Sequence, residues 1–173
     1  MPLTLRSGER FPRMTFQKVG GGQLLVGEPS GNWTLLVVYR GRHCGRCKKY
    51  LNGLEKMRQD WERAGFDIVV VSADTQEKAQ ADIAEFGWSF NICYGLVVEQ
   101  MKLLGLYVSE PLSEAETDRV FAEPGVFCIT PEGNAQIVSV SNGPAARPEL
   151  AELLDGMIFT IENNRPPRGT WIE

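Results

Sequence analysis

Apolar positions along this chain change period several times, and each change marks an element. Residues 14–19 (MTFQKV) and 23–26 (QLLV) flank Gly20, Gly21 and Gly22 and predict a hairpin, since glycine supplies the positive φ angles that tight turns need. The runs at 33–39 (WTLLVVY) and 66–72 (FDIVVVS) are continuously apolar and rich in β-branched residues. Unbroken runs of this kind predict strands buried on both faces, as in a parallel sheet with helices on each side.

Between those two runs the spacing becomes helical. Cys47, Tyr50, Leu51, Leu54, Met57 and Trp61 recur at intervals of three and four and share one helical face. Strand, helix, strand in that order is a βαβ unit with an expected right-handed crossover. A second helix is expected over 75–86, with Thr75 as its cap and Ala79, Ile83 and Phe86 inward. A third is expected near 96–104, through Val97, Met101 and Leu104. The acidic stretch 109–118 reads as a solvated loop or short helix. Residues 126–130 (VFCIT), the turn 131–134 (PEGN) and 135–140 (AQIVSV) predict an antiparallel hairpin. A last helix is expected to begin near Pro148, suited to a first helical position because it lacks an N–H. Leu150, Leu153, Leu154, Met157, Ile158 and Ile161 form its apolar stripe. No repeat or polar linker divides the string, so residues 1–173 read as one α/β domain.

The bulk numbers narrow the function classes. With 43% hydrophobic and 23% charged residues, the composition is that of an ordinary soluble domain. A net charge of −4 argues against general nucleic-acid binding. No run approaches the length of a membrane span. The opening MPLTLRSGERFPRM lacks the apolar core of a secretory signal, so the expected location is cytoplasmic, where thiols stay reduced.

In that compartment a close cysteine pair points to metal or redox chemistry, and one pair exists: Cys44 and Cys47, within RGRHCGRCKK at 40–49. It lies between a predicted buried strand and an amphipathic helix, which places Cys44 at the helix N-terminus. Unpaired backbone N–H groups and the helix dipole favour negative charge there. Arg40, Arg42, Arg46, Lys48 and Lys49 add positive charge with no acid among the ten residues. Both effects favour a thiolate, with Arg42 and Arg46 the leading stabilisers and His43 a neighbouring base or further source of positive field. Cys44, exposed at the tip, is the expected nucleophile, and Cys47, one turn inside, the resolving thiol. Zinc would need further ligands, and a second C-x-x-C or a histidine pair is missing. A c-type haem site needs a histidine after the second cysteine, whereas His43 precedes the first. No metal or organic cofactor is implied. Cys128 sits in a predicted core strand and reads as packing; Cys93 reads as packing or as a further resolving thiol.

Through VVYRGRHCGRCKKYL, IVVVSAD, YGLVVEQMKLLGLY and EPGVFCITPEGN, the chain resembles the thioredoxin-fold superfamily. It is most similar to the peroxiredoxin-like branch of the alkyl hydroperoxide reductase and thiol-specific antioxidant proteins. The resemblance runs from about Phe11 to Ile161. It implies a thioredoxin-like fold with an N-terminal β-hairpin extension and a central mixed sheet flanked by helices. It also implies that Pro124 is the proline, often cis, that packs against the cysteine pair, and that Glu123 before it offers backbone to a substrate chain.

Laid over the peroxiredoxin pattern P-x-x-x-T-x-x-C, Cys44 falls at the threonine and Cys47 at the peroxide-reacting cysteine, with Pro124 at the arginine near the last strand pair. Against thioredoxins, Gly45-Arg46 replaces Gly-Pro, and Val38 stands where a buried aspartate moves protons. These departures favour a thiol–disulfide oxidoreductase, acting on thiol or disulfide proteins with an external thiol reductant, over a thiol-dependent peroxidase acting on hydroperoxides. A non-catalytic thioredoxin-like interaction module is the third alternative. The glycine-rich turns and the acidic connector are candidate contacts for a homodimer.

Overall fold

The computed structural model describes residues 4–173; the first three residues of the opening segment lie outside the described residues. Nine strands and four α-helices are seen among them. The opening hairpin is β1 (Met14–Lys18) and β2 (Gln23–Val26), antiparallel across the three glycines. The two apolar runs become β3 (Trp33–Val38) and β4 (Phe66–Val71), parallel and in register from Trp33↔Phe66 to Val38↔Val71. The helix between them, α1 (Gly45–Arg63), buries Cys47, Leu51, Leu54 and Trp61 along the predicted face.

Helix α2 (Gln76–Phe86) starts as expected: the Thr75 hydroxyl accepts the Lys78 N–H at 3.3 Å. Strand β5 (Asn91–Tyr94) has no counterpart in the sequence reading. It is four residues long with a polar first position, so it shows no strand periodicity. It pairs parallel with β4 and antiparallel with β1, and so joins the hairpin to the main sheet. Helix α3 (Val98–Leu103) follows.

The connector is more ordered than its acidic composition suggested. Val108–Ser109 (β6) pairs with Phe121–Ala122 (β7) in a small second sheet. Glu110, Glu114 and Asp118 face solvent, but Glu116 is half-buried and turned back onto Arg40. The last hairpin is β8 (Gly125–Ile129) and β9 (Ala135–Val140), giving a mixed seven-stranded sheet of order β2-β1-β5-β4-β3-β8-β9.

Helix α4 (Leu150–Glu162) begins near Pro148 as expected, but not with Pro148 as its first residue. Glu149 is its N-cap, accepting the N–H groups of Ala151 and Glu152, so Pro148 precedes the helix instead of opening it. The Pro148 carbonyl is held by the Tyr50 hydroxyl at 2.8 Å.

The sheet separates two apolar layers, and alternation along each strand feeds both. Leu35, Val37, Val70 and Cys128 pack with Leu51, Leu54 and Trp61 of α1, Ala79 of α2 and Leu154 of α4. Leu36, Val38, Val71 and Cys93 face the other side, with Phe11, Met101 and Leu104. The redox cysteines belong to the first layer. Because Leu54 is completely enclosed there, Leu54→Ala is expected to cost about 2–5 kcal/mol; urea unfolding followed by circular dichroism measures it, and a loss below about 1 kcal/mol would contradict the packing described.

Candidate functional site: a cysteine pair at a helix N-terminus

The chain leaves β3 at a fully buried Tyr39 and must turn before α1 can start. Gly41 makes that turn with φ of +130°, and a Cβ there would lie 2.7 Å from a carboxylate oxygen of Asp74. Asp74 clamps the loop by accepting the Arg42 N–H at 2.7 Å. Cys44 then caps α1, and its Sγ accepts the Cys47 N–H at 3.2 Å. This is the helix-end donor that favours charge on sulfur. Cys44 and Cys47 are joined as a disulfide, with Cα atoms 5.3 Å apart across the first turn.

Two expectations about this pair need correction. Cys44 is not exposed at a tip: it is 3% accessible, and Cys47 is wholly enclosed. Both belong to the apolar layer between the sheet and α1, and Arg147 lies on the Cys47 sulfur.

The local basic run is also only partly a free positive field, because distant acids meet Arg40 and Arg42. The Arg42 guanidinium bonds Asp82 at 2.6 Å and Glu85 at 2.8 Å, both on α2, and makes no hydrogen bond to sulfur. Burial pushes the Asp74 and Asp82 carboxyls upward, and hydrogen bonds from Arg42 oppose the rise. Arg40 lies over the Phe121 ring between Glu116 at 3.5 Å and Glu123 at 3.1 Å. His43 packs on Phe121, ring centres 4.7 Å apart, with neither nitrogen hydrogen-bonded within the protein. Burial, and after it the charge of Arg40, lowers its pKa, so it is neutral at neutral pH and adds no positive field. Arg46 is exposed and carries no ion pair among the described residues.

The cation that does reach sulfur is Arg147, whose Nη2 donates to Cys47 Sγ at 2.6 Å. It arrives from the segment before α4, 100 residues away. The guanidinium lies 5.0 Å over the Tyr50 ring and also donates to the Pro144 carbonyl. Burial lowers its pKa to about 10, which leaves it charged at neutral pH. No spacing rule links it to the cysteines. The one sequence hint is an arginine set among prolines and alanines at 144–148.

Glu123 and Pro124 lie at the start of the last hairpin, both buried. The Glu123–Pro124 bond is trans, not cis. The Glu123 N–H donates to Tyr107 O at 2.8 Å, and Pro124 O accepts from Ser141 at 3.1 Å. The Glu123 carboxylate bonds Ser109 and Arg40. Strand pairing thus occupies the Glu123 N–H, one of the backbone groups expected to meet a substrate chain. Cys93 and Cys128 are fully buried in β5 and β8. Burial raises the Cys93 thiol to about 12 and Cys128 further still, and Cys93 faces the layer away from the pair.

The AhpC/TSA family model matches residues 7–138, three quarters of the chain. The chain belongs to the AhpC/TSA family. That membership makes it a thiol-dependent oxidoreductase or peroxidase. No curated protein sequence matches it. Among solved structures, the peroxiredoxin-like protein from Aquifex aeolicus superposes with a TM-score of 0.75 at 17% identity, over 89% of this chain and 86% of that one. Mycobacterium bovis AhpC gives 0.75 at 17%, over 99% and 100%. The Xanthomonas campestris bacterioferritin comigratory protein, described with alkyl peroxide reduction activity, gives 0.69 at 15%, over 94% and 98%. These likenesses establish the thioredoxin-like peroxiredoxin fold. Arg147 and α4 lie beyond the segment matched by the AhpC/TSA model.

A cation in contact with Cys47 favours its thiolate. In the reduced protein carrying Cys44→Ser, Arg147→Met is expected to raise the Cys47 pKa by about 1–2 units. The pH dependence of iodoacetamide alkylation measures this; an unmoved midpoint would show that Arg147 does not act on the sulfur.

Proposed function

We infer that the protein is a thiol–disulfide oxidoreductase that cycles Cys44 and Cys47 between dithiol and disulfide. The observation carrying this reading is the disulfide across the first turn of α1, with Cys44 as N-cap and the Cys47 N–H on its sulfur. Both sulfurs sit on one rigid turn, so the bond forms and breaks without unwinding the helix. Cys44 is the nucleophile that attacks a substrate disulfide; Cys47 then attacks Cys44 and releases the substrate as its dithiol. Arg147 holds Cys47 ready as a thiolate for that second attack. An external thiol returns the pair to the dithiol, which suits a reducing, cytoplasmic setting.

Arg147 also supports a second reading. Cys47 stands at the position of the peroxide-reacting cysteine in the family pattern, and a cation rests on it. As a peroxidase, the Cys47 thiolate would take the terminal oxygen of a hydroperoxide, releasing the alcohol and becoming a sulfenic acid. The Cys44 thiol would then displace water to give the same disulfide.

Two measurements on the same protein separate the readings. The exchange reading expects a reduction potential between about −270 and −120 mV, the span of catalytic dithiols, with slow oxidation by micromolar hydroperoxide in stopped flow. Rapid peroxide oxidation lost in Cys47→Ser would transfer the assignment to peroxidase. A potential below about −300 mV with no peroxide reaction would mark a structural disulfide and overturn both.

A further inference from the structure

Beside the cysteine pair, α1 and the segment leading into α4 enclose a groove of about 390 Å³. Its apolar walls include Tyr50, Met57 and Leu150, and Arg46, Lys49 and Arg147 contribute its charge. None of the three cations is paired with a carboxylate among the described residues. Glu149, the acid in the lining, is occupied in capping α4. Arg147 is mostly withdrawn from water, and its Nε has no hydrogen-bond partner. Buried charge is ordinarily paired, so this groove presents a surplus of positive charge with an anion's place open. Its inner end is the guanidinium resting on Cys47. Arg46 stands between the two cysteines in the chain.

We propose that this groove recognises the carboxylate of a small anionic thiol, and that such a thiol is the reductant of the Cys44–Cys47 disulfide. The inference rests on the exchange reading above and adds the chemistry of the electron donor. Arg46 and Lys49 at the rim hold the carboxylate, and the sulfur attacked is Cys44, the less enclosed of the pair and bonded to the sulfur on which the groove's inner guanidinium rests. The donor thiolate attacks Cys44 Sγ, forming a mixed disulfide and breaking the bond to Cys47. Cys47 leaves with the electron pair as a thiolate, and Arg147 receives that charge. A second donor thiolate attacks the donor sulfur of the mixed disulfide, releasing the donor disulfide and the Cys44 thiolate. Two thiols supply the two electrons; of the two protons they lose, one goes to the Cys44 thiolate and the other to solvent, because Cys47 stays a thiolate against Arg147.

The test compares reduction of the oxidised protein by 3-mercaptopropionate and by 2-mercaptoethanol, with rate constants expressed per thiolate. The expected ratio is about tenfold in favour of the carboxylate-bearing thiol at low ionic strength, as for electrostatically steered encounters. It should shrink as salt approaches about 0.5 M. The double variant Arg46→Gln/Lys49→Gln should bring the ratio close to one. A ratio of one or less in the unmodified protein, or one that the double variant leaves in place, overturns the proposal. Dithiothreitol, which is uncharged, separates the two levels. If it reduces the disulfide while the carboxylate preference is missing, the groove assignment falls and the exchange reading stands. If it leaves the disulfide intact, both fall.

Discussion

Everything in the site depends on where the first turn of α1 meets the end of β3. A thiolate in an enclosed place is costly unless donors and positive charge replace the water it has lost. Here two replacements converge from different directions. The start of α1 supplies a backbone N–H to Cys44, and the segment before α4 supplies the Arg147 guanidinium to Cys47. The first is local and follows from the Gly41 turn and the Asp74 clamp. The second exists only because β8, β9 and the chain after them return to the same side of the sheet.

The same packing decides which charges act. Five cations crowd residues 40–49, yet tertiary contacts assign them to different tasks. Arg40 and Arg42 hold the loop to the connector and to α2 through the buried Glu123 and Asp82, the half-buried Glu116 and the exposed Glu85. Lys48 lies over the Phe86 ring. Arg46 and Lys49 remain at the rim of the groove. Removing one partner of a buried ion pair strands the other charge, so the Arg42–Asp82 contact fixes the shape of the loop more than it tunes the sulfur. The cation in contact with sulfur is therefore a residue distant in sequence, while the nearby Arg40 and Arg42 serve as scaffold.

This division explains how much could be read beforehand. The hairpins, the βαβ unit and three helices were legible because each carries its own period: unbroken β-branched runs for β3 and β4, and three-four spacing for α1. The capping role of Thr75 was legible for the same local reason. Strand β5 was hidden because Asn91–Tyr94 is short and gains its identity from its neighbours β4 and β1. The role of Pro148 at the start of α4 was misassigned because proline propensity pointed to a first helical position, whereas the Glu149 carboxylate satisfies the free N–H groups. Within the site, the position of Cys44 as a cap was legible. Its enclosure, the neutralisation of Arg42 and the approach of Arg147 were not, since each is a contact between segments that no spacing rule connects.

Enclosure of both sulfurs also bears on which chemistry the site favours. A disulfide between residues three apart closes a short loop and needs no partner from another element. The oxidised state accordingly exists with α1 intact from its first turn. When the bond opens, Cys47 becomes an anion beside a guanidinium already in place, so little reorganisation is required at that sulfur. Cys44, held by a backbone N–H and marginally more accessible, is the atom an incoming thiolate can approach without displacing Arg147. The two cysteines differ in their surroundings, Cys44 under a backbone N–H and Cys47 under a guanidinium, and on the exchange reading we propose this makes the first the one attacked and the second the one that departs with charge.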